Sequence, residues 1–383
     1  MKKWIGLSVL FLITCLIVLV GVRSNATGGK ADVVFIHGFH GQQYFTSKFD
    51  DEPTLLTGAQ SSFSHWNQFL APKVRVGLVP WDVKNTLVRA TANPADPRPG
   101  WMKAADRFLK LIDEQGYGAN GIIVVTHSTG GLLADVMMSQ CYLAQYNSDP
   151  NIKKYYKIWQ KTIGMVQVAS AAGGVELANI ACDIVYGTAS WPLIGDILKL
   201  VFPYLKANDP GSLGVGYDLQ PSVARSENGS SLIRMPAFMI AGNGTMALNI
   251  VKPFLKGTSD GLVAMHSACG GNKWEAYESC SKDIAPNGEI KSQSAPANYA
   301  YHYPYIMTTE GHLSEMHPGS SNSDFDKYSE TETLISNYGT WSNAETEYYS
   351  TGWWLWKKNY KNIKNDESRT LGEIVATHFR LDY

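Results

Sequence analysis

An excess of charge of either sign is missing from this chain. Its 33 Lys and Arg face 34 Asp and Glu, a net charge of −1 at pH 7. That leaves no electrostatic case for binding nucleic acid or an anionic membrane surface. Cysteine is sparse, five in 383 residues. Neither a Cys-x-x-Cys nor a His-Glu-x-x-His spacing occurs, so no metal site is expected. Internal repeats and low-complexity tracts are also lacking. What is present is 44% hydrophobic residues against 17% charged, enough to bury a sizeable core and too apolar for a disordered chain. The length suits one large domain or two ordinary ones.

One long apolar run stands at the start. Lys2 and Lys3 precede Ile5–Val22, and Ser24-Asn25-Ala26 offers small residues at a cleavage position. Residues 1–26 therefore read as an export signal peptide, giving a secreted or periplasmic protein. The alternative is an uncleaved segment that anchors the chain in a membrane, because the run is close to the roughly 18 residues that span a bilayer. Removing the segment removes Cys15 and leaves Cys141, Cys182, Cys269 and Cys280. An even count in an exported chain predicts two disulfides. Of the three pairings, Cys269–Cys280, which closes a short loop, with Cys141–Cys182 is the expected one.

The chain is organised around Gly121-Ile122-Ile123-Val124-Val125-Thr126-His127-Ser128-Thr129-Gly130-Gly131. A β-branched run stops at Ser128, small residues follow, and Leu132–Met138 continues as an apolar helix. Strand, sharp turn and helix lift a serine hydroxyl clear of a sheet and aim a helix N-terminus at it. So tight a turn needs small residues two before and two after the serine, here Thr126 and Gly130.

Around this stretch the chain alternates. Ala31–Gly41 is a short buried strand, with a Val/Phe/Ile run, that ends in a glycine-rich loop containing His37, Gly38, Phe39, His40 and Gly41. Val74–Val79 is a second strand, Trp101–Gln115 a helix, Thr162–Ala169 a strand, and Met235–Gly242 another; Tyr299–Met307 is an aromatic strand-like run. Strands separated by helices predict an α/β fold, a doubly wound and mostly parallel sheet. Residues from about 170 to 232 break the alternation and read as an inserted cap or lid. Within it Ile197, Leu198, Val201 and Leu205 form an apolar stripe at helical spacing, widened by Leu200 and Tyr204, and Trp191, Leu198 and Val201 are the candidate pocket or lid residues. Residues 319–383 form an aromatic-rich extension expected to pack on the domain.

A serine needs a base, and the base needs a carboxylate behind it. Asp260, in Ser259-Asp260-Gly261-Leu262-Val263, is the candidate acid, although Asp in such a turn also bonds its own backbone. Asp183, Asp196, Asp209 and Asp218 fall in the insertion and Asp283 in a polar loop. His312 is the candidate base, in a loop after the aromatic run, with His317 next. His266 lies too soon after Asp260 to return across a sheet.

Four segments now stand in order: Ile36-His37-Gly38-Phe39, Thr126–Gly131, Ser259–Val263 and Gly311-His312-Leu313-Ser314-Glu315. Together they resemble the secreted bacterial lipases of the α/β-hydrolase fold over roughly residues 30–318, so that residues 27–318 form the hydrolase domain. The resemblance implies a carboxylic ester hydrolase, a lipase or long-chain esterase, with Ser128, Asp260 and His312 as triad. The backbone N–H groups of Phe39 and Thr129 would form the oxyanion hole. An acyltransferase of the same fold, or a non-catalytic surface or binding protein, is the alternative. The implied partner is a lipid or other ester, met at a lipid–water interface. No cofactor is required, and Ser314 stands where related lipases often carry an Asp that helps hold a structural calcium, a carboxylate that serine cannot supply.

Overall fold

The computed structural model describes residues 30–39, 74–89, 95–188, 198, 202, 205–227, 235, 237–242, 251–256, 259–268, 302–308, 344–351 and 358–365. Six strands form one sheet: β1 (Asp32–Ile36), β2 (Val76–Val79), β3 (Ile122–His127), β4 (Thr162–Val168), β5 (Ala237–Gly242) and β6 (His302–Thr308). Their order is β2-β1-β3-β4-β5-β6, and every neighbouring pair is parallel. All of β1 is buried, as is β3 up to its last residue. Continuous Val/Ile runs fit such strands, which are covered on both faces.

From β1 the chain steps outward to β2, returns to β3 on the other side, and then steps outward again through β4, β5 and β6. The sheet is thus doubly wound, and the loops leaving β1 and β3 part company at the switch between the two directions. Open α/β sheets bind ligands in the crevice at such a switch, beyond the carboxyl ends of the strands. Helices α1 (Gly100–Asp113), α2 (Thr129–Leu143) and α4 (Tyr156–Lys161) pack on one another and on β2, β1, β3 and β4, with a short α3 (Pro150–Lys153) between. In α1 the buried residues Trp101, Ala104, Ala105, Phe108, Leu109 and Ile112 keep helical spacing, which turns one stripe to the sheet. By contrast α2 is buried almost all round, the mark of a central helix.

The expected insertion lies between β4 and β5 and includes α5 (Glu176–Val185) and α6 (Pro221–Glu227). It is tied to the body: Val215 N–H donates to the Val83 carbonyl at 2.9 Å and Leu87 N–H to the Asp218 carboxylate at 2.9 Å, while within it Val175 N–H donates to the Leu219 carbonyl at 2.7 Å. Leu198 is fully buried, and Phe202 N–H donates to its carbonyl at helical spacing. Trp191 and Val201 lie outside the described residues, as do residues 1–26. Among the described residues no helix is long and apolar enough to cross a membrane.

One expectation is corrected. Cys141 and Cys182 are free thiols, so the Cys141–Cys182 bridge is not formed. Cys141 sits inside α2 and Cys182 on the buried side of α5, each packed as a small hydrophobe. Burial pushes both thiols up, Cys182 to about 12 and Cys141 further, and such thiols are inert. Cys269 and Cys280 lie outside the described residues. The C-terminal extension adds an antiparallel pair, β7 (Ala344–Thr351) and β8 (Lys358–Asn365), in a sheet of their own.

Candidate active site

Ser128 closes β3 and caps α2, and its backbone sits at φ 52°, ψ −126°. An L-residue rarely occupies such a conformation, and strain of this kind collects at functional sites. The surroundings hold it there. Ser128 N–H donates to the Val168 carbonyl at the end of β4, and the Ser128 carbonyl accepts from Gly131 and Ala171 N–H, each at 3.0 Å. Thr126, where the tight turn asks for a small residue, is fully buried on β3 between Ile36 and Gln167, and its hydroxyl has no partner. It fits because it still belongs to the strand rather than to the bend.

The loop after β1 lies directly against this turn. A Cβ on Gly38 would stand 2.9 Å from the Ser128 Cβ, and one on Gly130 would stand 2.5 Å from the His37 carbonyl oxygen and 2.6 Å from that of Ile36. Phe39 follows Gly38, and Thr129 opens α2. The structure therefore brings Ser128, Thr129 and Phe39 together at the switch point. The Phe39 ring meets Phe202 of the insertion edge-on, with centroids 5.2 Å apart.

His37 fixes that loop from within. It is fully buried, with Nδ1 donating to the Gly38 carbonyl at 2.6 Å and Nε2 accepting from Trp81 N–H at 3.2 Å. The Trp81 indole returns a bond to the His37 carbonyl at 2.9 Å and stacks on the imidazole. With Nε2 an acceptor, the ring must be neutral. Burial drives its pKa from 6.5 down to about 4. Between these values the unfolded chain binds a proton that the folded chain refuses, so stability is full above pH 6.5 and falls as pH drops towards 4. The loss is about 3 kcal/mol at most. Urea unfolding at steps from pH 7 to pH 4 should show His37→Gln losing less stability over this window than the wild type; parallel curves would assign the acid sensitivity elsewhere.

Asp260 is fully buried, and its Oδ1 accepts from Leu262 N–H at 2.9 Å and Val263 N–H at 2.7 Å. Gly261 takes φ +93°, and Asp260 N–H donates to the Val263 carbonyl at 3.2 Å. Both side-chain bonds of the turn fall on one oxygen. The rival acids have other tasks: Asp183 takes a bond from Thr188, Asp209 caps a 3₁₀ turn, and Asp218 holds Leu87. Asp196, Asp283, His312, His317 and Ser314 lie outside the described residues. His266 cannot be the base. Arg225 only donates, so His266 Nδ1 accepts from it, and Nε2–H then donates to Glu176 Oε1 at 2.8 Å. Sequence reasoning missed this buried Glu176–His266–Arg225 set, and no local spacing announces it. Among the described residues no group of three or more His, Cys, Asp or Glu is placed to hold a metal ion.

No protein-family model and no curated protein matches this chain. Among solved structures it is similar to a carboxyl esterase of metagenomic origin, at 17% identity and a TM-score of 0.36, over 64% of this chain and 61% of that one. It is also similar to the mature form of a Bacillus licheniformis lipase, at 16% identity and a TM-score of 0.39, over 64% of this chain and 82% of that one. A third is phospholipase PlaB from Legionella pneumophila, at 15% identity and a TM-score of 0.35, over 62% of this chain and 45% of that one. The match thus spans less than two thirds of the first and third of these proteins. The α/β class itself is carried by the sheet order and the Ser128 turn.

Proposed function

We propose that this protein is a carboxylic ester hydrolase, a lipase or long-chain esterase, exported by residues 1–26. The observation that carries the reading is the strained Ser128 turn with the Gly38–Phe39 loop packed against it. Strain of this kind at a hydroxyl-bearing residue, held at φ 52° at the switch point of the sheet, supports a reaction at that hydroxyl. In the proposed reaction Ser128 Oγ bonds to the ester carbonyl carbon and its proton passes to His312. Asp260 orients His312 and stabilises the imidazolium. The carbonyl oxygen, now negative, is met by the N–H groups of Phe39 and Thr129 and by the N-terminus of α2. His312 returns the proton to the leaving alkoxide, and the alcohol departs. Water then gives a proton to His312 as its oxygen bonds to the acyl carbon; the bond from that carbon to Ser128 Oγ breaks, His312 returns the proton to Ser128, and the acid is released.

The Phe202 ring of the insertion meets Phe39 and Leu198 is buried one helical turn before it; both support an acyl chain as substrate and a lid role for Trp191, Leu198 and Val201. A lid opens at a lipid surface because that surface removes the cost of exposing such side chains. A panel of p-nitrophenyl esters of graded chain length tests the activity; absence of turnover on every member would end the reading. On a sparingly soluble ester the rate should jump once droplets form. Leu198→Asp combined with Val201→Asp should reduce that jump more than it reduces hydrolysis of a short soluble ester. Smooth saturation through the solubility limit would leave a fixed cap.

A further inference from the structure

We infer that His266, held between Glu176 and Arg225, is a positioning residue that sets the spacing between the Asp260 turn and the Ser128 turn; the inference rests on the ester-hydrolase reading of those two residues.

The Asp260 turn is braced by its own backbone bonds, but those bonds say nothing about where the turn sits relative to Ser128. The two are carried by β3 and by the chain that follows β5, and β4 lies between these strands. The loop leaving β4 spans the gap. On one side Ala171 N–H donates to the Ser128 carbonyl at 3.0 Å. On the other, Gly173 N–H donates to the Ser267 carbonyl at 3.3 Å, in the short helix α7 (Met265–Ala268) that follows the Asp260 turn. Bonds of this length between loops hold a spacing only if something stops the loops from sliding.

The Glu176–His266–Arg225 set supplies that restraint. Arg225, on α6, donates through Nε to the Gly173 carbonyl at 3.0 Å and through Nη2 to His266 Nδ1. His266, in α7, donates to Glu176 at the start of α5, just past the same loop. One imidazole thereby fastens the acid-bearing segment to the β4 loop at Gly173, through Arg225, and at Glu176, where α5 begins. The three side chains expose 7%, 1% and 2% of their residue surface, in the order Glu176, His266, Arg225, so no water competes for these bonds. The charges balance: a carboxylate and a guanidinium are joined through a neutral ring that accepts from one and donates to the other. Burial, with Arg225 and Lys256 nearby, lowers the pKa of His266 despite the opposing pull of Glu176. Protonation would put imidazolium N–H against guanidinium N–H and break the joint. A lysine, a methionine or a leucine cannot fill the position, since none both accepts and donates; an amide can.

A carboxylate displaced by about 1 Å costs on the order of 10²-fold in rate without weakening ground-state binding. His266→Leu, in the full chain, is therefore expected to lower kcat on p-nitrophenyl butyrate by about 10- to 100-fold with KM little changed, whereas His266→Gln keeps kcat within about 3-fold. Hydrogen exchange followed by mass spectrometry gives a readout that needs no activity: peptides covering Ala171–Gly174 and Asp260–Val263 should exchange faster together in His266→Leu and stay protected in His266→Gln. If His266→Leu does not fold, Arg225→Lys, which cannot hold the Gly173 carbonyl and His266 Nδ1 together as the guanidinium does, should show the same paired deprotection in milder form. Unchanged exchange at both peptides, or equal kcat in the Leu and Gln variants, would overturn the inference. If the wild type hydrolyses no ester while His266→Leu still shows the paired deprotection, the ester-hydrolase reading fails and the spacing role of His266 stands.

Discussion

Ser128→Ala is expected to lower kcat on a soluble p-nitrophenyl ester by about 10⁶-fold, as removal of the nucleophile does in serine triads. The same substitution should abolish labelling by a fluorophosphonate, which bonds only to an activated serine. The fold should survive, because alanine occupies the same backbone and the bonds that hold the turn are made by the main chain of residue 128. Ser128→Gly separates the two roles further. Glycine takes φ 52° without strain, so this variant should be inactive and more stable than the wild type by about 1 kcal/mol, within the 1–3 kcal/mol usual for such conformations. His312→Ala should match the loss in kcat, while His317→Ala should not. Activity that persists in Ser128→Ala would remove the elbow from the mechanism altogether.

Gly130→Ala is expected to have the second largest effect, and through a different cause. The added methyl group would stand 2.5 Å and 2.6 Å from two main-chain oxygens of the β1–loop junction, and neither can rotate away. Either α2 or the loop at Ile36–Phe39 must move. Overpacking of this kind costs about 1–3 kcal/mol, more when backbone is the obstacle. In the proposed mechanism the movement also withdraws the Phe39 and Thr129 N–H groups from the position of the oxyanion, and one misplaced donor costs on the order of 10²–10³ in kcat. Thermal unfolding and turnover should fall together in Gly130→Ala. An equal change at Gly116, where a Cβ meets nothing within 4 Å, should leave turnover intact even though φ there is positive. Wild-type turnover in a folded Gly130→Ala protein would mean that the loop is not part of the site.

The parts of this molecule that could be read from the chain are those whose cause is local. The strands β1 and β3 announce themselves through Val33–Ile36 and Ile122–Val125, because burial on both faces demands unbroken apolar runs; β4 is read from Ile163, Met165, Val166 and Val168. The Ser128 turn is legible for the same reason: its small neighbours and the change of period from strand to helix are adjacent in sequence. The Asp260 turn carries its Gly261, which the structure holds at positive φ. What could not be read depends on distant partners. His266 looks idle until Glu176, 90 residues earlier, and Arg225, 41 residues earlier, are brought to it. His37 was seen as part of a glycine loop, yet its lock on Trp81 crosses 44 residues. Counting cysteines by parity paired Cys141 with Cys182, but parity is blind to burial, and burial explains both thiols without a bridge. The β7–β8 pair escaped because its strands, Glu345-Thr346-Glu347 opposite Asn362-Ile363-Lys364, lack an apolar alternation.

The Ser128 turn is braced by three segments that the chain makes far apart: the loop after β1, the end of β4 and the loop beyond it. Parallel pairing such as Ile36 with Thr126 brings together residues separated by the whole of β2 and α1. Contacts of such long range form late and slowly, because the intervening chain must be ordered before they return any stabilisation. A strained serine cannot hold its conformation before its braces exist. On refolding from urea, helical signal should therefore recover first and fluorophosphonate labelling last. In the proposed mechanism the nucleophile is thus switched on by completion of the sheet, and a half-folded chain has no reactive serine with which to attack its surroundings.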